Sequence, residues 1–327
     1  MSASNCVKAL SDIGTYVTGI GLGSTDDPKA PQPHSLQRND ECSPFRSFLS
    51  HESSCSDALE GLPLLPSRLN SSGGDEALST VLADEEGPEL NVDSVHEFLS
   101  SHRFHMAGGV PRPKILAYIS GTGLAPWEIH RPQKFVRDLV LRRCFSGRVL
   151  DAGCGIGDNA LYVAKAAPGA SVTAVDVVPR CLEFAAAKAG LRSMRGKVEL
   201  LVGDLLETDP GRWVEALAST QDQSFSVVLD SLTFHCFSDS DRERYVATLR
   251  RLLRPRGLIY MNCMSEEETR PGGPRRITVP DLFSVFCASN GWKVEGLEDS
   301  IIEFHPTFWG GQAKARLFTI RKAYSGS

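Results

Sequence analysis

Residues 149–159 read Val-Leu-Asp-Ala-Gly-Cys-Gly-Ile-Gly-Asp-Asn. The apolar run that ends at Asp151 is typical of a buried strand, and residues 160–165 after the stretch are compatible with a helix. Three glycines alternate between these two elements: Gly153, Gly155 and Gly157. A strand, a glycine turn and a helix hold nucleotide-like ligands at the carboxyl end of a parallel sheet. Glycine suits such a turn because it tolerates positive φ and lets a ligand lie against bare backbone.

The acidic residues beside the turn indicate which ligand it holds. A pyrophosphate coenzyme normally meets the pattern Gly-x-Gly-x-x-Gly at a helix N-terminus. The spacing here is Gly-x-Gly-x-Gly, with Asp151 before it and Asp158 after it. Two carboxylates repel a pyrophosphate but attract the ammonium and sulfonium groups of S-adenosylmethionine. We therefore expect S-adenosylmethionine as the cofactor, bound by both acids and the three glycines; the alternative is a glycine-rich turn with solvated acids.

Three further apolar runs also end in acids. The run 170–176 ends at Asp176, about 20 residues after the turn, where doubly wound folds place a carboxylate on ribose hydroxyls. The run 198–205 contains Gly-Asp at its end, and Asp204 is predicted to accept a hydrogen bond from the adenine amino group. The third run, 225–231, contains Asp230 at its end. A single aspartate at the end of a strand is often only a helix cap. Here four successive predicted strands each end in an aspartate, and chance does not readily explain that pattern. The predicted cofactor contacts from these runs are Asp176, Val177, Asp204, Leu205 and Asp230.

Strand and helix patterns alternate after residue 110. The predicted strands are 147–151, 171–176, 197–202, 225–230, 257–263, 292–297 and 315–321. The predicted helices are 131–144, 158–166, 179–189, 207–219, 239–253 and 279–289. This order implies an α/β fold with a doubly wound, mostly parallel seven-stranded sheet and helices on both faces. The last two apolar runs have no helix between them, so we expect an antiparallel pair at one edge.

The order of these motifs resembles the class I S-adenosylmethionine-dependent methyltransferases over roughly residues 110–323, and the resemblance implies their Rossmann-like fold. The segments 125–133 and 230–245 are similar to the branch that includes thiopurine, tellurite-resistance and halide/thiol methyltransferases. Two positions depart from that branch. His130 stands where many relatives have a small residue, and Arg256 stands where they usually have glycine.

The first 110 residues differ in composition from the rest. They contain 6 Lys/Arg and 16 Asp/Glu, a net charge of −10, which leaves +5 for the remainder of a chain whose total is −5. They are rich in Ser, Gly and Pro, and their apolar residues sustain neither a strand nor a helix period. Such a segment buries too little surface to offset its ordering entropy. We predict a mostly disordered extension over 1–110, a candidate arm for docking a protein, and a methyltransferase domain over 111–323; residues 92–99 are the exception, as a helical turn.

Composition excludes several classes of protein. The N-terminus lacks the basic and apolar pattern of a signal peptide, and no run has the length that crosses a bilayer. The nine cysteines show no Cys-x-x-Cys pair, which argues against a disulfide framework and a zinc site. We therefore expect a cytoplasmic protein without a membrane partner and without a metal.

Methyl transfer is an in-line displacement, in which positioning lowers the barrier by roughly 7–11 kcal/mol. A base is needed only when the nucleophile arrives protonated. His235 is the candidate catalytic base because imidazole titrates near neutral pH, and the alternative is a histidine packed at a helix start. Trp127 is a candidate cation–π partner of the sulfonium, or else a core residue. Gln133 is a candidate hydrogen-bond partner of the cofactor, or else part of a solvated helix face.

The substrate side is predicted in the loops 263–280 and 303–312. The second loop places aromatic residues beside two glycines, as in a mobile lid or in a hairpin whose aromatics complete the core. The candidate substrate-binding residues are Phe234, His305 and Trp309.

Three functions stay open. The first is methyl transfer to a small-molecule nucleophile, such as a thiol or another soft nucleophile. The second is a protein- or RNA-directed methyltransferase, and the third is a non-catalytic S-adenosylmethionine-binding module. A nucleic-acid partner is disfavoured because residues 230–233 read Asp-Ser-Leu-Thr, whereas adenine amino methylation typically uses Asp/Asn-Pro-Pro-Tyr/Phe. The domain is also only mildly basic.

Overall fold

The structure, a computed structural model, describes residues 91–209, 212, 217 and 222–323. Its strands are β1 (Gly147–Ala152), β2 (Ala170–Asp176), β3 (Val198–Val202), β4 (Phe225–Ser231), β5 (Leu253–Met264), β6 (Trp292–Glu303) and β7 (Gln312–Lys322). Its α-helices are α1 (Val92–Leu99), α2 (Pro113–Ile119), α3 (Lys134–Leu141), α4 (Asp158–Ala166), α5 (Pro179–Leu191), α6 (Asp239–Leu252) and α7 (Val279–Val285).

The seven strands form one sheet in the order β3-β2-β1-β4-β5-β7-β6. The first five strands are parallel, while β7 is antiparallel to both β5 and β6. The predicted doubly wound, seven-stranded fold with an antiparallel pair at one edge is therefore confirmed. Most of the predicted helix 207–219 and the first 90 residues of the predicted extension lie outside the described residues.

Successive residues of the central strands point to opposite faces of the sheet, as the period of two requires. Val149 and Leu229 pack on one face with residues of α3, α4 and α5. Leu150 and Val228 pack on the other face with residues of α6 and α7. Helices therefore cover both faces, and the central strands β1 and β4 are mostly apolar because both of their faces are buried.

A third apolar cluster joins residues 91–120, here called the cap, to the ends of β6 and β7. Its members include Val95, Leu99, Phe104, Ile115 and Ile119 from the cap and Phe304, Phe308, Ala313 and Ala315 from the sheet side. Helix α1 begins with a capping box between Asn91 and Ser94, which satisfies backbone donors at its first turn. The cap spans the domain boundary that the sequence predicts at residue 110, and that boundary stays a prediction.

Asp230 is fully buried at the end of β4, where it organises the turn that follows. One carboxylate oxygen accepts the hydroxyl of Tyr245 at 2.8 Å. The other accepts the backbone N–H groups of Thr233 at 3.0 Å and Phe234 at 3.3 Å. Burial raises the pKa of Asp230 to about 6, and these hydrogen bonds oppose the rise. The carboxylate thus supports the loop that carries His235.

The Tyr245 hydroxyl should contribute measurably to stability. We expect Tyr245→Phe to lower the free energy of unfolding by about 1–3 kcal/mol, because it removes a partner of a buried carboxyl group. The loss should be larger at pH 8 than at pH 5, since Asp230 is ionised above its pKa and hydrogen bonds to charged groups are stronger. Urea unfolding at both pH values measures it. Tyr118→Phe is the control, and equal losses for the two variants would contradict the prediction.

Candidate active site

The glycine turn between β1 and α4 has three residues with positive φ, at 74°, 52° and 77° in chain order. A Cβ on Gly153 would collide with the side chain of Thr233, and one on Gly157 would lie 2.6 Å from Cβ of Ala185. A Cβ on Gly155 would meet nothing within 4 Å. Gly153 and Gly157 are therefore required by packing, whereas Gly155 presents bare backbone to open space.

Two of the predicted acids hold the loops around this open space. Asp176 accepts the backbone N–H of Gly155 at 2.8 Å and that of Val178 at 2.9 Å. Asp204 accepts the backbone N–H of Leu206 at 2.8 Å. Each carboxylate keeps further lone pairs, because an ionised carboxylate has about four acceptor sites. Both acids therefore remain able to accept hydrogen bonds from ribose hydroxyls or an adenine amino group.

Asp151 is buried beneath the turn with both carboxylate oxygens lacking a well-formed hydrogen bond. Burial, together with the negative charges of Asp176 and Asp230, raises the pKa of Asp151 to about 8; the nearby backbone N–H of Ala160 opposes the rise. An unpartnered acid in such a place is costly. A ligand with positive charge near the turn lowers that cost, which fits the cofactor that the sequence predicts.

Asp158, the acid that follows the turn, is paired within the protein. Its carboxylate lies 2.6 Å from Nζ of Lys188 and 3.3 Å from a guanidinium nitrogen of Arg192. Lys188 is itself buried, and burial lowers its pKa while Asp158 opposes that change. The negative charge of Asp158 is thus already balanced, so its predicted contact with the cofactor stays a prediction.

The carboxyl ends of the parallel strands border a cavity of about 410 Å³. One part of its wall is the glycine turn with the loops after β2 and β3, and includes Gly153, Gly155, Asp158, Asp176, Val177, Asp204 and Leu205. Most of the rest comes from the cap, from residues 126–133, from the loop after β4 and from Phe304 and Phe308, and Asp241, Gly273 and Pro274 also line it. Volumes of 300–1,000 Å³ are typical of small-molecule sites.

The structure places several predicted residues on this wall and others behind it. Trp127 lines the cavity and packs against the third apolar cluster. Gln133 also lines it, but its side-chain amide donates to the backbone oxygen of Glu303 at 2.9 Å and accepts its N–H at 2.8 Å. Neither Asp151 nor Asp230 is part of the wall. For Asp230 the predicted direct contact is unsupported, because its oxygens are engaged with Tyr245 and the backbone.

His235 lines the cavity, yet its ring is bound within the protein. The backbone N–H of Met264 donates to Nδ1 at 3.0 Å. Burial, with the positive charges of Arg242 and Arg276, lowers the pKa of His235 to about 3. The imidazole is therefore neutral at physiological pH and a weak proton acceptor. Its predicted role as a base stays a prediction that these features disfavour.

None of the three predicted substrate residues is part of this wall. Phe234 is fully buried between Tyr245 and Phe286. His305 is exposed, and Trp309 stacks on Phe308 with ring centroids 4.5 Å apart. Their substrate roles stay predictions without support from this geometry.

Sequence reasoning missed several residues that do line the cavity wall. They are Leu99, Phe104, Met106 and Val110 of the cap, and Glu128. Phe304 and Phe308 also line the wall and belong to the loop 303–312 that the sequence predicts on the substrate side. The apolar spacing in α1 was the one available signal for the cap. The carboxylate of Glu128 accepts the backbone N–H groups of Gly121 and Gly123. These are contacts between loop residues, and they leave no periodic pattern in the sequence from which they could be predicted.

Among the described residues, no group of three or more His, Cys, Asp or Glu side chains is arranged to hold a metal ion. No helix in the part of the chain that the structure describes is long and apolar enough to cross a membrane. The six described cysteines are free thiols.

Comparison with known proteins identifies a family model and several methyltransferases that are similar to this chain. Residues 149–257 match the family model described as "Methyltransferase domain". The chain is 27% identical over 175 residues to the 2-heptyl-1-hydroxyquinolin-4(1H)-one methyltransferase of Mycobacteroides abscessus, covering 53% of this chain and 70% of that protein. It is 25% identical over 164 residues to the probable thiol methyltransferase 2 of Arabidopsis thaliana, covering 50% and 67%.

A solved structure described as "Conversion of a Disulfide Bond into a Thioacetal Group during Echinomycin Biosynthesis" superposes with a TM-score of 0.51 at 26% identity. The match covers 62% of this chain and 86% of that one. The fold, the site and these matches together define a class I methyltransferase domain. The protein is an S-adenosylmethionine-dependent methyltransferase.

The state of Asp151 leads to a prediction about cofactor binding. Below about pH 8 this carboxyl group is mostly protonated, and a cationic ligand favours its ionised form. We therefore expect S-adenosylmethionine to bind with release of a proton at pH 7. Calorimetric titration in two buffers of different ionisation enthalpy measures the release. S-adenosylhomocysteine, which lacks the sulfonium charge, should release less.

Asp151→Asn is the matched variant for this measurement. It cannot ionise, so proton release should fall towards zero while the fold is retained. The pKa of Asp151 is raised in the folded state, so the wild-type protein should lose stability as pH rises from about 4 to about 8. The variant should lose less over that range. Equal proton release by both proteins would contradict the assignment.

Proposed function

We propose that this protein transfers the methyl group of S-adenosylmethionine to a soft nucleophile of a small molecule, such as a thiol. The cofactor supplies an electrophilic methyl group when it is bound. The acceptor sulfur gains the methyl group as the sulfonium–methyl bond breaks, and the thiol proton passes to solvent. A cytoplasmic location and the absence of a nucleic-acid partner, as the sequence predicts, are part of this proposal.

The state of His235 is the observation that carries the proposal. It is the one histidine in the described cavity wall, and its low pKa makes it a poor base. Three of the five carboxylates of that wall, Glu128, Asp158 and Asp241, are engaged by backbone N–H groups or cations of the protein. The other two, Asp176 and Asp204, are predicted to hold the cofactor. A hydroxyl or protonated amine needs a base, whereas a thiolate does not. The walls therefore favour an acceptor that is reactive by itself.

The relatives add support of a different kind. One is described as a probable thiol methyltransferase and another as a methyltransferase of a hydroxyquinolinone, which is a small molecule. We extend to this chain the class of small-molecule acceptor that these names share. The choice of a thiol as the acceptor is supported by the 25% identity to the probable thiol methyltransferase and by the sequence motifs at 125–133 and 230–245.

Mass spectrometry of methylated products tests the proposal. The purified full chain is incubated with S-adenosylmethionine and, separately, with a panel of thiols, with bulk protein and with RNA. Methylated thiols with unmodified protein and RNA support the proposal. Transfer only to protein or RNA, or cofactor binding without any transfer, overturns it.

A further inference from the structure

We propose that the cap selects the methyl acceptor, and that the acceptor is an uncharged, apolar molecule apart from its reacting atom. This inference rests on the proposed function for the methyl transfer itself. It is carried by the cap residues on the cavity wall, namely Leu99, Phe104, Met106 and Val110, and by Phe308, which also lines the wall and belongs to the same apolar cluster as Leu99 and Phe104.

The cap contributes apolar side chains to the part of the wall that the glycine turn does not form. Leu99 and Phe104 are almost fully buried, and Val110 is nearly so. Met106 is 41% exposed, although it borders the cavity. Its backbone N–H donates to the oxygen of Val110 at 2.7 Å, which closes a short turn. An apolar molecule gains about 25 cal/mol per Å² of surface buried against such a wall.

Charge within the cavity also disfavours an ionic acceptor body. The described wall contains five carboxylates and one arginine, Arg131, which lies 3.2 Å from the carboxylate of Glu303. An anionic acceptor body therefore meets no unpaired cation among the described wall residues. A cationic body is repelled by the sulfonium of the bound cofactor. The wall carboxylates that would attract it are engaged within the protein or, for Asp176 and Asp204, are predicted to bind the cofactor. A neutral body avoids both penalties.

The cap is fixed in place, so its wall is formed before an acceptor arrives. The guanidinium of Arg180, at the start of α5, donates to the backbone oxygens of Ala117, Tyr118 and Ser120 at 2.7–3.1 Å. At the other end of the cap, the N–H of Gly273 donates to the oxygen of Leu99 at 2.8 Å. A preformed wall lowers the entropy cost of binding, which makes its side chains effective in selection.

Binding tests the inference without requiring turnover. The full chain is saturated with S-adenosylhomocysteine, and the neutral dye Nile red is displaced by 1-hexanethiol, 6-mercaptohexanoate or 6-aminohexane-1-thiol. These three thiols share one chain length and differ in terminal charge. We expect 1-hexanethiol to compete at least about tenfold better than either charged analogue, which corresponds to about 1.4 kcal/mol. Equal competition by the three overturns the inference.

Two matched variants locate the selection at the cap. Met106 and Tyr118 are 41% and 40% exposed on the same cap, and of the two only Met106 lines the cavity. Met106→Glu should raise the inhibition constant of 1-hexanethiol at least about tenfold, with the affinity for S-adenosylhomocysteine unchanged. Tyr118→Glu should change neither value. Met106→Leu, which keeps an apolar side chain, should leave the inhibition constant of 1-hexanethiol near that of the wild type. Equal effects of Met106→Glu and Tyr118→Glu overturn the assignment.

The two proposals fail in different ways. If 1-hexanethiol displaces the dye and is never methylated, the cap inference stands and the proposed thiol transfer fails. If 6-mercaptohexanoate is methylated as efficiently as 1-hexanethiol, the proposed transfer stands and the selection by the cap fails.

Discussion

Asp176→Ala should weaken binding of S-adenosylmethionine by about 10-fold to 100-fold. The carboxylate ties the glycine turn to the loop after β2, through the N–H groups of Gly155 and Val178. It also borders the cavity, where its remaining lone pairs are predicted to accept ribose hydroxyls. Hydrogen bonds to a charged group contribute about 1.5–3 kcal/mol each, and about 1.4 kcal/mol corresponds to a tenfold change in affinity.

Calorimetric titration with S-adenosylhomocysteine and S-adenosylmethionine measures this loss. Asp176→Asn keeps one side-chain acceptor, so it should lie between the wild type and the alanine variant. Glu183→Ala removes an exposed carboxylate from the neighbouring helix α5 and serves as the control. Unchanged affinity of Asp176→Ala would refute the ribose role and the role in joining the two loops.

The second large effect is expected from alanine substitutions at two glycines of the same turn, one of which should affect cofactor binding and the other stability. Gly155→Ala should lower cofactor affinity about tenfold or more, because the new methyl group enters space that is open in the protein. Its cost to folding should stay near 1–2 kcal/mol, the strain of placing alanine at positive φ. Gly157→Ala should lower the free energy of unfolding by about 2–5 kcal/mol, because the same strain is joined by a clash with Ala185.

Urea unfolding and calorimetric titration on both variants test this separation. Cofactor affinity of Gly157→Ala is compared at a temperature where the variant is fully folded. The interpretation fails if Gly155→Ala unfolds as readily as Gly157→Ala, or if it binds the cofactor as tightly as the wild type does.

Much of the fold could be predicted because its signals are local. The apolar run before Asp151 and the one that ends at Asp176 are each contiguous, and parallel strands buried on both faces have this pattern. A strand that ends in an acid places that acid at the edge of the sheet where ligands bind. The lack of a helix between β6 and β7 likewise predicts an antiparallel pair.

The roles of individual side chains were less predictable, since they depend on partners distant in sequence. Asp176 and Asp230 look alike in sequence, each at the end of an apolar strand. In the structure Asp176 borders the cavity, while Asp230 is engaged by Tyr245 behind it. The same applies to His235, whose ring is held by the backbone of Met264 and whose pKa is lowered by burial.

The sequence by itself determined the doubly wound sheet, the glycine turn and the acids around a cationic cofactor, because strand periodicity and turn chemistry act over a few residues. Only the tertiary structure decided which acids face the cavity and which side chains form the acceptor wall. The cap is held at that wall by contacts between residues more than a hundred positions apart in sequence, such as the hydrogen bond between Leu99 and Gly273. Burial and long-range packing, which set these positions and the pKa values of Asp151 and His235, have no counterpart in local sequence.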